Sequence, residues 1–215
     1  MIAHIIDIFL HLDVYLAQLS ASYGTAIYII LFLIIFAETG LVVAPFLPGD
    51  SLLFAVGALA SLESSGLDIW FLWVLLIAAA FIGDNTNYQI GKRLGPKVFS
   101  NEKSIFLNPK YLAKTEAFYQ SHGVKTVFFA RFMPILRTFA PFVAGVGHMN
   151  YKKFMTYSLI GSLVWMSCFL GAGYYFGNHP SVKSNFHVVI FTVIGISVLP
   201  MVITALKSQL SARKR

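Results

Sequence analysis

The stretch Glu38-Thr39-Gly40-Leu41-Val42-Val43-Ala44-Pro45-Phe46-Leu47-Pro48-Gly49-Asp50 lies inside an otherwise uncharged apolar tract that runs from about Gly24 to Leu62. A single helix through that tract would carry Pro45, Pro48 and Gly49 in its middle, losing backbone donors and clashing with the preceding turn. The spacing therefore predicts a break at Pro45, Pro48 and Gly49. Backbone groups freed at membrane depth persist only when enclosed by protein or lining a wet cavity. Glu38 and Asp50 bracket the break. A charged side chain at the bilayer centre costs about 2.5 to 3.5 kcal/mol on insertion scales, so both acids need a partner, a cation or a proton.

The whole chain agrees with a bilayer setting. Its 215 residues are 57% hydrophobic, and the mean hydropathy is +0.73, too apolar for an ordinary soluble domain and long enough for several spans. No basic residue precedes the first apolar run, so a cleaved signal peptide is not expected. The formal net charge of +7 does not indicate nucleic acid, because the basic residues fall where membrane topology puts them. The first is Lys92; seven lie from Lys92 to Lys125, two are Lys152 and Lys153, and four lie from Lys207 to Arg215. These zones are expected in the cytoplasm. The single cysteine, Cys168, has no intrachain disulfide partner and reads as a small core residue in an apolar segment.

Taken in order, residues 1–23 read as an N-terminal amphipathic helix at the interface, with His4, Asp7, His11 and Gln18 at near-helical spacing. A spanning alternative would require burial of Asp7, His11 and Asp13. The broken tract of residues 25–60 is flanked by segments without lysine or arginine, so it is expected to enter and leave by the outer face as a re-entrant hairpin. Ile69–Ile90 is long enough to span, and places Gly83, Asp84, Tyr88 and Gly91 on one helical face. The glycines suit close packing, while Asp84 is open to either a hydrogen-bonded structural role or a place in a polar wall. Gly91–Lys125 reads as a cytoplasmic surface segment.

Thr126–Met149 repeats the opening pattern with the opposite charge: Arg131, Pro134, Arg137 and Pro141 interrupt an apolar run. Lysines on both flanks predict a second re-entrant hairpin, entering from inside. Phe154–Phe176 and residues 186–206 can each cross once, and residues 207–215 form a basic cytoplasmic tail. Trp165 and Gly161, Gly171, Gly173 and Gly177 are assigned packing or interface roles only. The expected fold is thus an all-α polytopic membrane protein, a single membrane domain over 1–215. It has two oppositely oriented re-entrant hairpins, about three transmembrane helices and the interfacial helix, arranged like an inverted-repeat transporter.

Three motifs in order resemble the DedA family, the bacterial branch of proteins with a VTT or SNARE-associated domain. They are Glu38-x-Gly40 with Pro45-x-x-Pro48-Gly49-Asp50; Gly83-Asp84-x-x-x-Tyr88-x-x-Gly91-Lys92; and Phe129-x-Arg131-Phe132-x-Pro134-x-x-Arg137-Thr138 with Ala144-Gly145. The resemblance covers a core of residues 25–175. It implies a multi-pass protein of the bacterial inner membrane that translocates a lipid, undecaprenyl phosphate or a glycerophospholipid. It also implies a link to proton motive force and envelope integrity.

Residue chemistry points the same way up to a limit. The planar fork of arginine suits a phosphate, and an opened helix terminus at Pro134–Thr138 adds backbone donors, which makes Arg131, Arg137 and Thr138 the headgroup candidates. Glu38, Asp50 and Asp84 are the candidates for proton or charge coupling. The structural alternative is that Glu38 and Asp50 simply neutralise Arg131 and Arg137. No cofactor or metal is expected, nor catalysis. A proton-coupled antiporter of small cations or drugs is the rival reading. An enzyme acting on lipid phosphates is disfavoured, because neither a His-Glu-x-x-His nor a Gly-x-Ser-x-Gly motif is present. Expected partners are membrane lipids and no nucleic acid, with self-association into a homo-oligomer left open.

The charge pattern makes a topological prediction. In a Cys168→Ser background, single cysteines at Ser64 and His179 should react with a membrane-impermeant thiol reagent from outside. Cysteines at Lys103 and Arg215 should react only once the cytoplasmic face is opened.

Overall fold

Apolar runs free of internal proline become helices once water is removed from their backbone, since an unpaired N–H or C=O in an apolar setting costs several kcal/mol. The computed structural model describes residues 24–41, 49–98, 125–177, 179–183, 188–189, 192 and 195. All its regular elements there are helical, with no strand among the described residues. In chain order they are α1 (Ala26–Gly40), α2 (Gly49–Ala60), α3 (Ile69–Val98), α4 (Pro134–Val146), α5 (Tyr151–Phe176) and the short α6 (Pro180–Lys183). The segment 125–130 is also helical.

Among the described residues, only α3 and α5 combine the length and composition to cross a bilayer, with candidate spans of 26 residues each at Ile69–Leu94 and Tyr151–Phe176. At 1.5 Å per residue each reaches about 39 Å, more than a hydrocarbon core of about 30 Å. α1, α2 and α4, with 15, 12 and 13 residues, reach about 18 to 23 Å and fall short of that core.

The breaks fall partly where proline spacing places them. α1 ends at Gly40, before Pro45, and α2 starts at Gly49; Pro45 and Pro48 lie outside the described residues. In the second tract the helix stops at Ala130, turns through Arg131–Met133 and resumes with Pro134 at its first position, where the missing N–H costs nothing. Pro141 was expected to mark a further break, and it does not: it sits inside α4. It removes only the donor to the Arg137 carbonyl, and the helix carries on around that single loss. α3 also outruns its expected end at Ile90, continuing to Val98, because hydropathy marks where lipid ends and not where a helix must. The expected interfacial helix at 1–23 lies outside the described residues. Of the span expected at 186–206, residues 188, 189, 192 and 195 are described, all helical.

The chain divides into two compact units. One comprises Tyr28–Leu47 and Trp70–Met166; the other comprises Met1–Ile27, Pro48–Ile69 and Ser167–Arg215. In the first, Val127 and Ala144 share a buried cluster with Tyr88, Met149 and Phe154. Tyr88 stacks on Phe154 with ring centroids 4.5 Å apart, and its hydroxyl donates to the Met149 carbonyl at 2.5 Å. α3 and α4 meet through paired glycines: a side chain on Gly91 would strike the Phe142 carbonyl, and one on Gly145 would strike the Tyr88 carbonyl.

In the second unit every residue of α2 is buried. There a side chain on Gly57 would strike the Leu170 carbonyl, and one on Gly173 the Phe54 carbonyl. Gly171 faces open space, so it is not one of the contact glycines the sequence suggested. The link from α2 to α3 ends its 3₁₀ turn on Gly66, whose φ of +65° is a left-handed conformation that glycine alone enters without steric cost.

Because the atoms facing the paired glycines are backbone, they cannot swing aside. Gly91→Leu and Gly173→Leu should therefore each cost about 1 to 3 kcal/mol or more by overpacking, read as a lowered melting temperature in detergent. Gly171→Ala should leave melting unchanged or raise it slightly.

Candidate functional site: two buried ion pairs on one indole

The site lies wholly in the unit formed by Tyr28–Leu47 and Trp70–Met166. α1 carries Glu38 and Thr39 in its last turn, α3 carries Asp84 and Asn87, and the turn and first turns of α4 carry Arg131, Arg137 and Thr138. α5 carries Ser158, Ser162 and Trp165. All ten are buried, none above 4% exposed. Small residues bring the helices this close: a methyl on Gly40 would lie 3.1 Å from the Gly83 Cα, and one on Gly161 would lie 3.2 Å from the Arg131 Cδ.

Four polar contacts define the first pair. Arg131 Nη1 donates to Asp84 Oδ2 at 3.1 Å, and Nη2 lies 3.0 Å from the same oxygen. Nη2 also donates to Ser162 Oγ at 2.6 Å. The Ser158 hydroxyl donates to Asp84 Oδ2 at 2.5 Å. Ser162 Oγ in turn donates to the Ser158 carbonyl at 2.8 Å, which fixes its lone pairs toward the arginine. The second pair joins Arg137 Nη2 to Glu38 Oε1. Both guanidiniums lie over the Trp165 ring, with Cζ 5.5 Å from the centroid for Arg131 and 4.9 Å for Arg137.

Asn87 ties the elements together. Its amide nitrogen donates to the Thr39 carbonyl at 3.2 Å and to the Thr138 carbonyl at 2.6 Å. Thr39 is next to the end of α1, where helix carbonyls lack intrahelical donors, so one side chain caps α1 and clamps it to α4. Arg131 Nε, Asp84 Oδ1 and Asn87 Oδ1 in this network are buried without a hydrogen-bond partner among the described residues. A buried network that left a donor and an acceptor unfilled would be a poor stabilising device, since each such group costs about 1 to 3 kcal/mol.

The sequence reading brought Glu38 and Asp50 to the two arginines. The structure pairs Glu38 with Arg137 and gives Arg131 to Asp84. Asp50 is buried in the first turn of α2, in the other unit. Asn87, Ser158, Ser162 and Trp165 were not singled out as site residues. Their signal was periodic: Asn87 lies three residues after Asp84, and Ser158, Ser162 and Trp165 recur at offsets of four and three on one face of α5. Among the described residues no group of acidic, histidine and cysteine side chains could hold a metal ion.

Two arginines and two acids buried among helices of bilayer-crossing length define a membrane protein with an internal charged site. The VTT-domain profile matches residues 47–175, and the chain belongs to the DedA family of VTT-domain membrane proteins. It is 52% identical to Protein DedA of Escherichia coli (strain K12), over 100% of this chain and 98% of that one. It is 40% identical to an uncharacterised membrane protein of Mycobacterium leprae (strain TN), over 80% and 76% of the two chains. To the inner membrane protein YqjA of E. coli (strain K12) it is 32% identical, over 72% and 69%. No solved structure matches the chain.

The pairing predicts a pattern of coupled losses. Arg137→Gln and Arg131→Gln should each destabilise by about 3 to 5 kcal/mol by stranding a buried carboxylate. Glu38→Gln should recover much of the loss in Arg137→Gln, and Asp84→Asn in Arg131→Gln. The crossed double variant Glu38→Gln with Arg131→Gln should recover less than either matched pair. Denaturation of the purified variants in detergent checks all of these.

Proposed function

We propose that the protein translocates a lipid with a phosphate headgroup across the bacterial inner membrane, and that Arg131 and Arg137 hold the phosphate. The observation that carries this reading is the pair of guanidiniums, each only 4% exposed, brought together on one indole with Arg131 Nε still open. Intramembrane charges mark pathways more often than they stabilise, because a buried ion pair gains little over an apolar replacement. Arginine forks are suited to phosphate oxygens, and Thr138, next to Arg137 on α4, carries a hydroxyl that can donate to one. Undecaprenyl phosphate and a glycerophospholipid both present the required headgroup.

In this reading α1 with α2, and the segment 125–130 with α4, are re-entrant hairpins of opposite sidedness, and the C-terminal tail is cytoplasmic. Their lengths support it, being too short to cross. So does a repeated contact. Phe54-x-x-Gly57 of α2 packs on Leu170-x-x-Gly173 of α5 just as Phe142-x-x-Gly145 of α4 packs on Tyr88-x-x-Gly91 of α3, glycine against carbonyl in both directions. The two arrangements lie 88 residues apart on α2 and α4, the spacing of an internal repeat. Glu38, Asp50 and Asp84 take up charge when the arginines exchange carboxylate for phosphate, and proton motive force couples through them.

The antiporter reading keeps one observation on its side: the buried, unfilled Asp84 Oδ1 is an acceptor that a proton or small cation would occupy. Proteoliposomes containing labelled undecaprenyl phosphate, phosphatidylglycerol or a neutral lipid, with and without a pH gradient, separate the two. Movement of phosphate lipids is expected, with Arg131→Lys and Arg137→Lys each slowing it at least about tenfold because the fork is lost. Gradient-driven movement of a small cation with no lipid movement would overturn the lipid reading.

A further inference from the structure

Trp165 is fully buried and touches both arginines, yet it carries no charge and donates to neither. The two Cζ atoms lie 5.5 and 4.9 Å from its ring centroid, so the guanidiniums are within about 10 Å of each other, a separation at which like charges in a dry interior repel. The negative face of an indole attracts a cation, and does so most strongly where water is excluded. In the present arrangement each arginine also has a carboxylate. Once a carboxylate is given up, the ring is a neighbour that both arginines still share.

We propose that Trp165 is the positioning residue of the phosphate site: its indole holds Arg131 and Arg137 within reach of a single phosphate and keeps them placed as they exchange carboxylate for ligand. The inference rests on the phosphate-lipid reading of the same arginines. Ser162, three residues earlier on the same face of α5, anchors the Arg131 fork at 2.6 Å. Trp165 therefore acts through the quadrupole of its ring, and its volume alone does not replace it.

The experiment uses the full-length chain. Tryptophan occurs three times, so a Trp70→Phe, Trp73→Phe background leaves Trp165 alone and allows it to be replaced throughout by mono-, di- and tetrafluorotryptophan. Fluorination withdraws charge from the ring face with little change of shape, so melting should stay constant across the series. Binding is followed by titration calorimetry with vesicles carrying a phosphate lipid, and separately with neutral vesicles and with inorganic phosphate.

Affinity for phosphate-lipid vesicles should fall stepwise with fluorination, by about tenfold or more at the tetrafluoro end. Trp165→Phe should retain more affinity than Trp165→Leu. Unchanged affinity across the series, with normal binding by the unfluorinated protein, would overturn the role of Trp165 and leave the phosphate site standing. Absence of phosphate-lipid binding by the unfluorinated protein itself would overturn the site, and the inference with it.

Discussion

Two guanidiniums taken out of water impose the constraint that organises this molecule. An isolated ion loses several kcal/mol of hydration on burial, even after relaxation, so each arginine must be met by an opposite charge, by hydrogen bonds and by close packing at once. No one helix supplies all of that. Glu38 comes from α1, Asp84 from α3, Ser158, Ser162 and Trp165 from α5, and the arginines from the turn that starts α4. The four segments must approach closely enough for side chains to meet, and the glycines at 40, 83 and 161 permit that approach.

The same requirement explains where the polar residues of α3 sit. Gly83, Asp84, Asn87, Tyr88 and Gly91 all lie on the buried face of the helix, and each meets a different neighbour. Gly83 meets α1 and Gly91 meets α4; Asp84 takes Arg131; Asn87 bridges the carbonyls of Thr39 and Thr138; Tyr88 bonds to Met149. α3 is thus both a span and the shared wall of the site. Packing and polar chemistry, set against each other as alternatives for this face, turn out to be divided residue by residue along it.

Membrane packing gains little from hydrophobicity, because lipid is as apolar as the side chains it would replace. The units are held instead by backbone approach at glycine and by a few satisfied polar contacts. The paired glycines of α3 with α4, and of α2 with α5, bring carbonyls within reach of a facing Cα, which increases dispersion contact where solvent exclusion contributes nothing. Against this tight background the open Arg131 Nε and Asp84 Oδ1 are conspicuous.

The apolar spans of α3 and α5 and the break before Pro134 follow from sequence alone, because hydropathy and proline act locally through backbone hydrogen bonding. So does the choice of Arg131, Arg137, Glu38, Asp50 and Asp84 as the charged candidates, since charge within an apolar run is visible without a fold. Sequence could not decide which acid serves which arginine. That depends on how far α3 advances past the turn before α4, and it gave Asp84 to Arg131 and Glu38 to Arg137. Nor could it reveal Trp165, one aromatic among many in a chain that is 15% aromatic. Its place against both arginines is created by tertiary contacts among residues more than twenty positions apart. Local rules assign the charges and the breaks, whereas partners are assigned by three-dimensional proximity.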